Sequence, residues 1–442
     1  MPSLSSRLQT LTTFILEIGL LYVVIFFIQA QPAYGSMAAF LTAAMIPLLA
    51  FYAHRLEKTF NIPFFVWAIG LGFIFKNTLT PLTSSPANLA WFTTFLGILI
   101  IFGGGLELKF SSFKRLMFPI LSLSIIGATI TAFLFSASLS GLTSILNLPL
   151  SIGTIGLLGA MLCSTDPAAI LPTLKRLKLK NPDDKTLAIS ESAVNDVLGT
   201  IITSFFAALT IDAVVKPQSL TQLYSHLFGL EIVLNFTKEI FVGVIIGYLA
   251  YHLLSLWKKF GTISLASFPF LIGIALTSFL LSSIWGGSGY LAVFITGLLF
   301  ELEHDYKEVE HFFVNLVDGF VKPAVFVILG SLIVSSFLTY AGLGILISAA
   351  FIFIIRPIAV TLSLGWFTGK GKIFTIGDML FFDVVRETGV IPAVLLVAYL
   401  PFLPDGELAF AVGTWVILST LIILPLLTGY WAKRLKVITS DK

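Results

Sequence analysis

Runs of about 18 to 25 mostly apolar residues recur along this chain with only short polar breaks between them, the length at which a helix crosses the hydrocarbon core of a bilayer. Read against turn and charge signals, about fourteen spans are expected, near residues 9–31, 37–53, 62–80, 88–108, 115–138, 150–174, 186–210, 228–256, 263–283, 287–302, 312–336, 340–366, 377–400 and 407–431. Composition closes the alternative: 57% of the 442 residues are hydrophobic and 11% are charged, where a soluble domain carries about 25% charge. The fold class is therefore all-α, a polytopic membrane protein of about 13–14 transmembrane helices. The sole cysteine, Cys163, cannot form an internal disulfide, and the five histidines show no metal-ligand spacing. No cofactor is expected, and basic residues scattered among loops do not make a nucleic-acid surface.

The first run resembles a signal peptide, with Arg7 before it, but Leu11 to Ala30 is longer than a usual signal core and encloses Glu17. It reads as an extra N-terminal helix within 1–36, ahead of a unit over 37–431 and a short tail over 432–442. Allocating the 26 basic residues to alternate loops leaves only Lys76 and Lys216 outside and places Lys238, Lys322, Arg356 and Arg386 within spans. All the others share the side that holds both termini, which the positive-inside rule makes cytoplasmic.

Two spans are interrupted. The sixth contains Ser164-Thr165-Asp166-Pro167, where proline lacks an N–H and clashes with the preceding turn. The thirteenth contains Arg386-Glu387-Thr388-Gly389-Val390-Ile391-Pro392. Seven spans apart, the two run in opposite directions, and broken helices so paired point to an inverted-repeat transporter with its ion site where they cross.

An ionisable group in hydrocarbon costs at least about 2.5 to 3.5 kcal/mol on insertion scales, so each one needs a partner, water or a function. Glu191-Ser192-Ala193-Val194-Asn195-Asp196 concentrates them in the seventh span. Ser192 and Asp196 share one helix face, and Glu191 and Asn195 share another about 100° away. Asp196, Ser192 and Asp166, with backbone carbonyls freed at the break, offer hard oxygen ligands suited to a small alkali cation. Glu191 needs a cation, and Arg356 in Ile355-Arg356-Pro357 is the expected partner of a structural ion pair. Asp318 and Lys322, four apart, are expected to neutralise each other.

Thr165-Asp166-Pro167 followed by Glu191-Ser192-x-x-Asn195-Asp196 resembles the NhaP-type sodium/proton antiporters of the cation:proton antiporter superfamily. Gly103-Gly104-Gly105-Leu106-Glu107-Leu108, Gly286-Gly287-Ser288-Gly289-Tyr290-Leu291-Ala292-Val293 and Ile355-Arg356-Pro357 resemble further segments of that family in the same order. The resemblance implies a six-helix core domain with crossed broken helices, interleaved with a dimerisation domain, and elevator-like alternating access in a homodimer. By motif it implies that Asp166, Asp196, Ser192 and the Thr165 carbonyl hold Na+, that Asn195 is a polar neighbour, that Glu191 and Arg356 form the core salt bridge, and that Glu107 helps through water. The thirteenth span departs from the family: Thr388 stands where an arginine is usual and Arg386 lies two positions earlier. Asp383, Arg386 and Glu387, at i, i+3 and i+4, are expected to form a local ion network in its place.

The functional expectation is a secondary antiporter exchanging Na+ or Li+ for H+, electroneutrally, in a bacterial-type plasma membrane. K+/H+ exchange is the nearest alternative. A sodium-coupled solute symporter, a cation channel and an intramembrane enzyme remain as other classes, separable because a symporter needs its solute and a channel conducts.

Overall fold

The computed structural model describes residues 4–31, 34–166, 174, 176–212, 219–226, 229–258, 268–300, 307–399, 403 and 405–439. Pro167, invoked for the first break, lies outside them, as do Lys216 and residues 440–442 of the tail. The expected spans appear in order. Helices α1 (Leu4–Gln29) and α2 (Tyr34–Phe60) precede α3 (Phe64–Ile74) and α4 (Lys76–Thr83), which form one span bent by 87°. Next come α5 (Pro86–Leu106), α6 (Phe110–Leu121) continuing into α7 (Ala128–Ile145), α8 (Ile152–Leu162) and α9 (Pro182–Ala207). The short α10 (Leu220–Ser225) leads to α11 (Leu230–Lys258), α12 (Phe268–Ile284) and α13 (Gly289–Phe300). Then α14 (Lys307–Leu316) runs into α15 (Lys322–Ser331), and after α16 (Ser336–Thr339), α17 (Ala341–Ala350) runs into α18 (Arg356–Leu364). The chain closes with α19 (Ile376–Phe382), α20 (Val390–Tyr399) and α21 (Gly406–Arg434).

Among the described residues, 9 helical segments are long and apolar enough to cross a membrane, or 10 with the bent α3–α4 pair. The other expected spans correspond to shorter apolar helices, α8, α12, α13 and α20. Two of these end at the interruptions read from the sequence: α8 stops before Ser164-Thr165-Asp166, and α20 begins after Arg386-Glu387-Thr388-Gly389. The second interruption falls at 383–389, earlier than expected, and Pro392 sits inside the first turn of α20. Proline is tolerated there because a first-turn N–H has no intrahelical acceptor anyway.

Of the π turns among the described residues, Val317–Val321 and Phe351–Ile355 stand immediately before Lys322-Pro323 and Arg356-Pro357. Each proline removes a backbone donor and crowds the turn behind it, which widens the ladder there. Lys322 and Arg356 thus stand at locally opened turns. The most intimate crossing is between α3 and α15, where a Cβ on Gly72 would lie 2.0 Å from the Val327 carbonyl oxygen and one on Gly330 2.0 Å from that of Ile69. Such backbone contact is how small residues bind membrane helices together without a hydrophobic drive. Glu17 and Arg55 form an ion pair at 2.6 Å that ties α1 to α2. At the chain's end, the Lys180 N–H donates to the Val437 carbonyl at 2.8 Å and the Thr439 N–H to that of Lys178 at 2.9 Å, anchoring the tail beside the start of α9.

Replacing Gly330 with valine should separate α3 from α15 and destabilise the fold by at least about 3 kcal/mol. Size-exclusion profiles in mild detergent should show loss of the monodisperse species, whereas Gly429→Ala, with no atom within 4 Å of the added carbon, should behave as wild type.

Candidate ion-binding site

An interrupted helix leaves backbone groups unpaired where no water can serve them, and each must find a partner within the protein. Here the two interruptions serve each other. Helix α8 stops at Leu162, Ser164 and Thr165 follow without helical structure, and the Asp166 N–H donates to the Glu387 carbonyl at 2.9 Å in an antiparallel bridge. The two segments meet backbone to backbone: a Cβ on Gly389 would lie 2.0 Å from the Asp166 Cβ. Only glycine permits that approach.

Helix α9 lies against this crossing. Asn181 caps it by accepting from the Asp183 N–H, Pro182 occupies its first turn, and Asp183 and Asp184 complement its N-terminal dipole. About two and a half turns further along, the two faces separate as the spacing demands. Ser192 Oγ donates to the Thr165 carbonyl at 2.7 Å, and Asp196 Oδ1 accepts a short bond from Ser164 Oγ. Asp166, Ser192 and Asp196, 7%, 6% and 8% exposed, line one cavity of 320 Å³ together with Glu107, His54, Asp318 and Lys322. Two carboxylates and a serine hydroxyl thus line one cavity, and that hydroxyl is bonded to the Thr165 carbonyl.

The other face of α9 is sealed. Asn195 Nδ2 lies 3.1 Å from Glu191 Oε1 and 3.1 Å from Thr165 Oγ1, and Thr165 Oγ1 in turn donates to Glu191 Oε2 at 3.1 Å. The guanidinium that meets Glu191 is that of Arg386, at 2.5 Å. The expected Glu191–Arg356 pair therefore gives way to Glu191–Arg386, and Arg386, expected in a local network with Asp383 and Glu387, makes its close ion pair across to α9 instead. The cause is topological: the second interruption delivers Arg386 directly onto α9. Arg356 supports it from behind, donating to the Arg386 carbonyl at 2.5 Å and to Thr388 Oγ1 at 2.9 Å, with its guanidinium 4.6 Å from the Phe351 ring centre. Thr388, standing where the family pattern has arginine, is the acceptor that lets Arg356 reach this position.

Thus Asp166, Thr165, Ser192, Asn195 and Asp196 come together as expected. Glu107, just past the end of α5, lines the cavity beside them. Two participants were not singled out beforehand. Ser164 lies inside the quoted break motif, and its signal was a hydroxyl next to Thr165. Arg386 was recognised as an intramembrane charge, but its partner was assigned locally.

Comparison with known proteins gives the family. Residues 40–434 match the family described as "Sodium/hydrogen exchanger, transmembrane". The chain belongs to that family. It is 30% identical over 311 residues, 68% of each chain, to the Na(+)/H(+) antiporter 1 of Methanocaldococcus jannaschii. It is also 30% identical over 332 residues, 74% of this chain and 54% of the relative, to the K(+)/H(+) antiporter NhaP2 of Shewanella sp. strain MR-4. The chain spans about half the length of the NhaP2 relatives it matches. The structure of the sodium proton antiporter MjNhaP1 from M. jannaschii at pH 8 shares its fold, with a TM-score of 0.75 at 23% identity, covering 90% of this chain and 99% of that one.

Because Glu191 and Arg386 are almost fully buried, removing either should strand the other, at a cost of about 3–5 kcal/mol. Thermal melts in detergent should place Glu191→Met and Arg386→Met well below wild type and the double variant above both. Additive losses would show that the two charges do not act as a pair.

Proposed function

We propose that the chain is a secondary antiporter that exchanges Na+ or Li+ for H+ by alternating access of the Asp166–Asp196 site. The observation that carries this reading is the segregation of charge on α9. Glu191 is already neutralised by Arg386 on the sealed face, while Asp166 and Asp196 face a cavity that solvent-borne ions can enter.

The chemistry needs no covalent step. Two carboxylates at the end of a narrow cavity are costly to carry through a low-dielectric barrier unless a cation or a proton neutralises charge there. Asp166 and Asp196 supply anionic oxygens, Ser192 and the Thr165 carbonyl supply neutral ones, and Ser164 orients Asp196. A cation and a proton that use the same carboxylate oxygens exclude one another. If the site crosses only when loaded, each cation moved one way is matched by a proton moved the other. Asn195 holds Thr165 and Glu191 in register and so keeps the ligand-bearing break in place. Glu107 at the cavity wall acts through water.

The arrangement supports electroneutral exchange of one cation for one proton. It also supports placing the two interrupted spans in a six-helix core that moves against a dimerising scaffold within 37–431, with residues 1–36 as an added helix and 432–442 as a tail. The assembly is read as a homodimer in the plasma membrane with cytoplasmic termini. K+/H+ exchange is the second reading, favoured by the names of the Shewanella relatives.

In proteoliposomes with clamped voltage, adding Na+ outside should release or take up protons, read by a pH-sensitive dye. Asp196→Asn and Asp166→Asn should each reduce the signal to that of empty liposomes. Competition requires the apparent KM for the cation to rise as pH falls, with little change in maximal rate. Ranking Na+, Li+ and K+ decides between the two readings. Wild-type protein that moves no protons with any of the three would overturn the antiporter reading, and a rate that follows the imposed voltage would overturn electroneutrality.

A further inference from the structure

Lys322 is an intramembrane cation that the mechanism above leaves unused. It stands at the first position of α15, directly after the π turn Val317–Val321 and before Pro323, so the locally widened backbone presents Asp318 and Lys322 on the same side. Both line the 320 Å³ cavity, across from Asp166, Ser192 and Asp196. Lys322 Nζ lies 2.7 Å from Asp318 Oδ1, and its charge also acts on Asp166 and Glu107. The side chain of Lys322 is 15% exposed and that of Asp318 is 49% exposed.

A local i, i+4 pair with no further role would point to lipid, headgroups or bulk water, where such a pair contributes little. This one instead occupies the ion cavity. Of the residues that line that cavity, Lys322 is the one that carries a permanent positive charge, against Glu57, Glu107, Asp166, Asp196 and Asp318. The ammonium is a compact point charge on a flexible stem, able to shift between carboxylates on either side of it. It is also attached to α15, the helix locked by backbone contact to α3, and not to the interrupted spans that bear the ligands.

We propose that Lys322 is a tethered counter-cation: it partly neutralises the vacant Asp166–Asp196 site, an incoming alkali ion must displace that charge, and Asp318 holds the ammonium back by offering it a second partner. Lys322 and Asp318 are then positioning residues that set cation affinity in opposite senses. The proposal rests on the antiporter reading of the same site. It gives a reason for a lysine in the hydrocarbon region that an ion pair serving structure alone lacks. A vacant dicarboxylate site without an internal cation would hold its first ion too tightly to release it.

The test uses the full-length protein in proteoliposomes, with Na+ as the probe and a high concentration of an impermeant salt to screen long-range fields. Lys322→Met should lower the apparent KM for Na+ by roughly tenfold and slow maximal turnover, because the ion leaves less readily. Asp318→Asn should raise the apparent KM by roughly the same factor, because the released ammonium competes at Asp166. Lys322→Arg, which keeps the charge, should stay near the wild-type KM. If both neutralising variants shift the KM in the same direction, or lower only turnover or folded yield, the pair is structural and the proposal is overturned. Where either variant fails to fold, Na+ protection against thermal unfolding in Lys322→Gln and Asp318→Ser, which keep a polar side chain, decides: stronger protection in the first and weaker in the second support the proposal, and protection unchanged in both overturns it. Failure of wild-type exchange would instead strike the antiporter reading itself, so the two failures are distinguishable.

Discussion

The rest of the architecture depends on one backbone hydrogen bond, from the Asp166 N–H to the Glu387 carbonyl. A bilayer interior supplies no water to an interrupted helix, so an interruption at this depth survives only against another that completes it. The bridge meets that requirement in the smallest way, and the absence of a side chain at Gly389 is its steric condition. Once the two extended segments are locked, the Thr165 carbonyl is fixed at the crossing, and the backbone brings the Ser164 and Asp166 side chains to the same place.

Around this crossing, charge is sorted by whether it has been neutralised. Glu191 is compensated by Arg386, backed by Arg356 and Thr388, and forms a closed block that holds α9 to the second interruption. Breaking one member of such a block costs far more than the block itself contributes, so it is better regarded as a register device than as a source of stability. Asp166 and Asp196 are left facing the cavity, where Lys322 and Asp318 stand opposite them on a different helix. The same physics that forbids unpaired charge in a low-dielectric interior closes the first group and makes the second the one on which the proposed exchange rests.

Much of this was legible from residue order. The spans follow from apolar run length, since 1.5 Å of rise per residue must match a fixed hydrocarbon thickness. The first break follows from a polar tetrapeptide ending in proline, and the two faces of α9 follow from the 3.6-residue period, which separates Ser192 and Asp196 from Glu191 and Asn195. Partner identity did not follow. Arg356 and Arg386 are both intramembrane guanidinium groups, and no local rule says which of them the crossing brings to Glu191. The i, i+3 and i, i+4 rule that assigned Arg386 to its helical neighbours fails because residues 383–389 are not helical.

The sequence by itself determined that the chain spans a membrane many times, which two spans are interrupted and which residues of α9 share a face, because each of these depends on spacing along one segment. Only the tertiary structure decided that Arg386 and not Arg356 neutralises Glu191, that Ser164 holds Asp196, and that Lys322 looks into the ion cavity. These pairings join residues about 30 to 200 positions apart, and such contacts are set by how the interrupted helices cross, not by the period of either one.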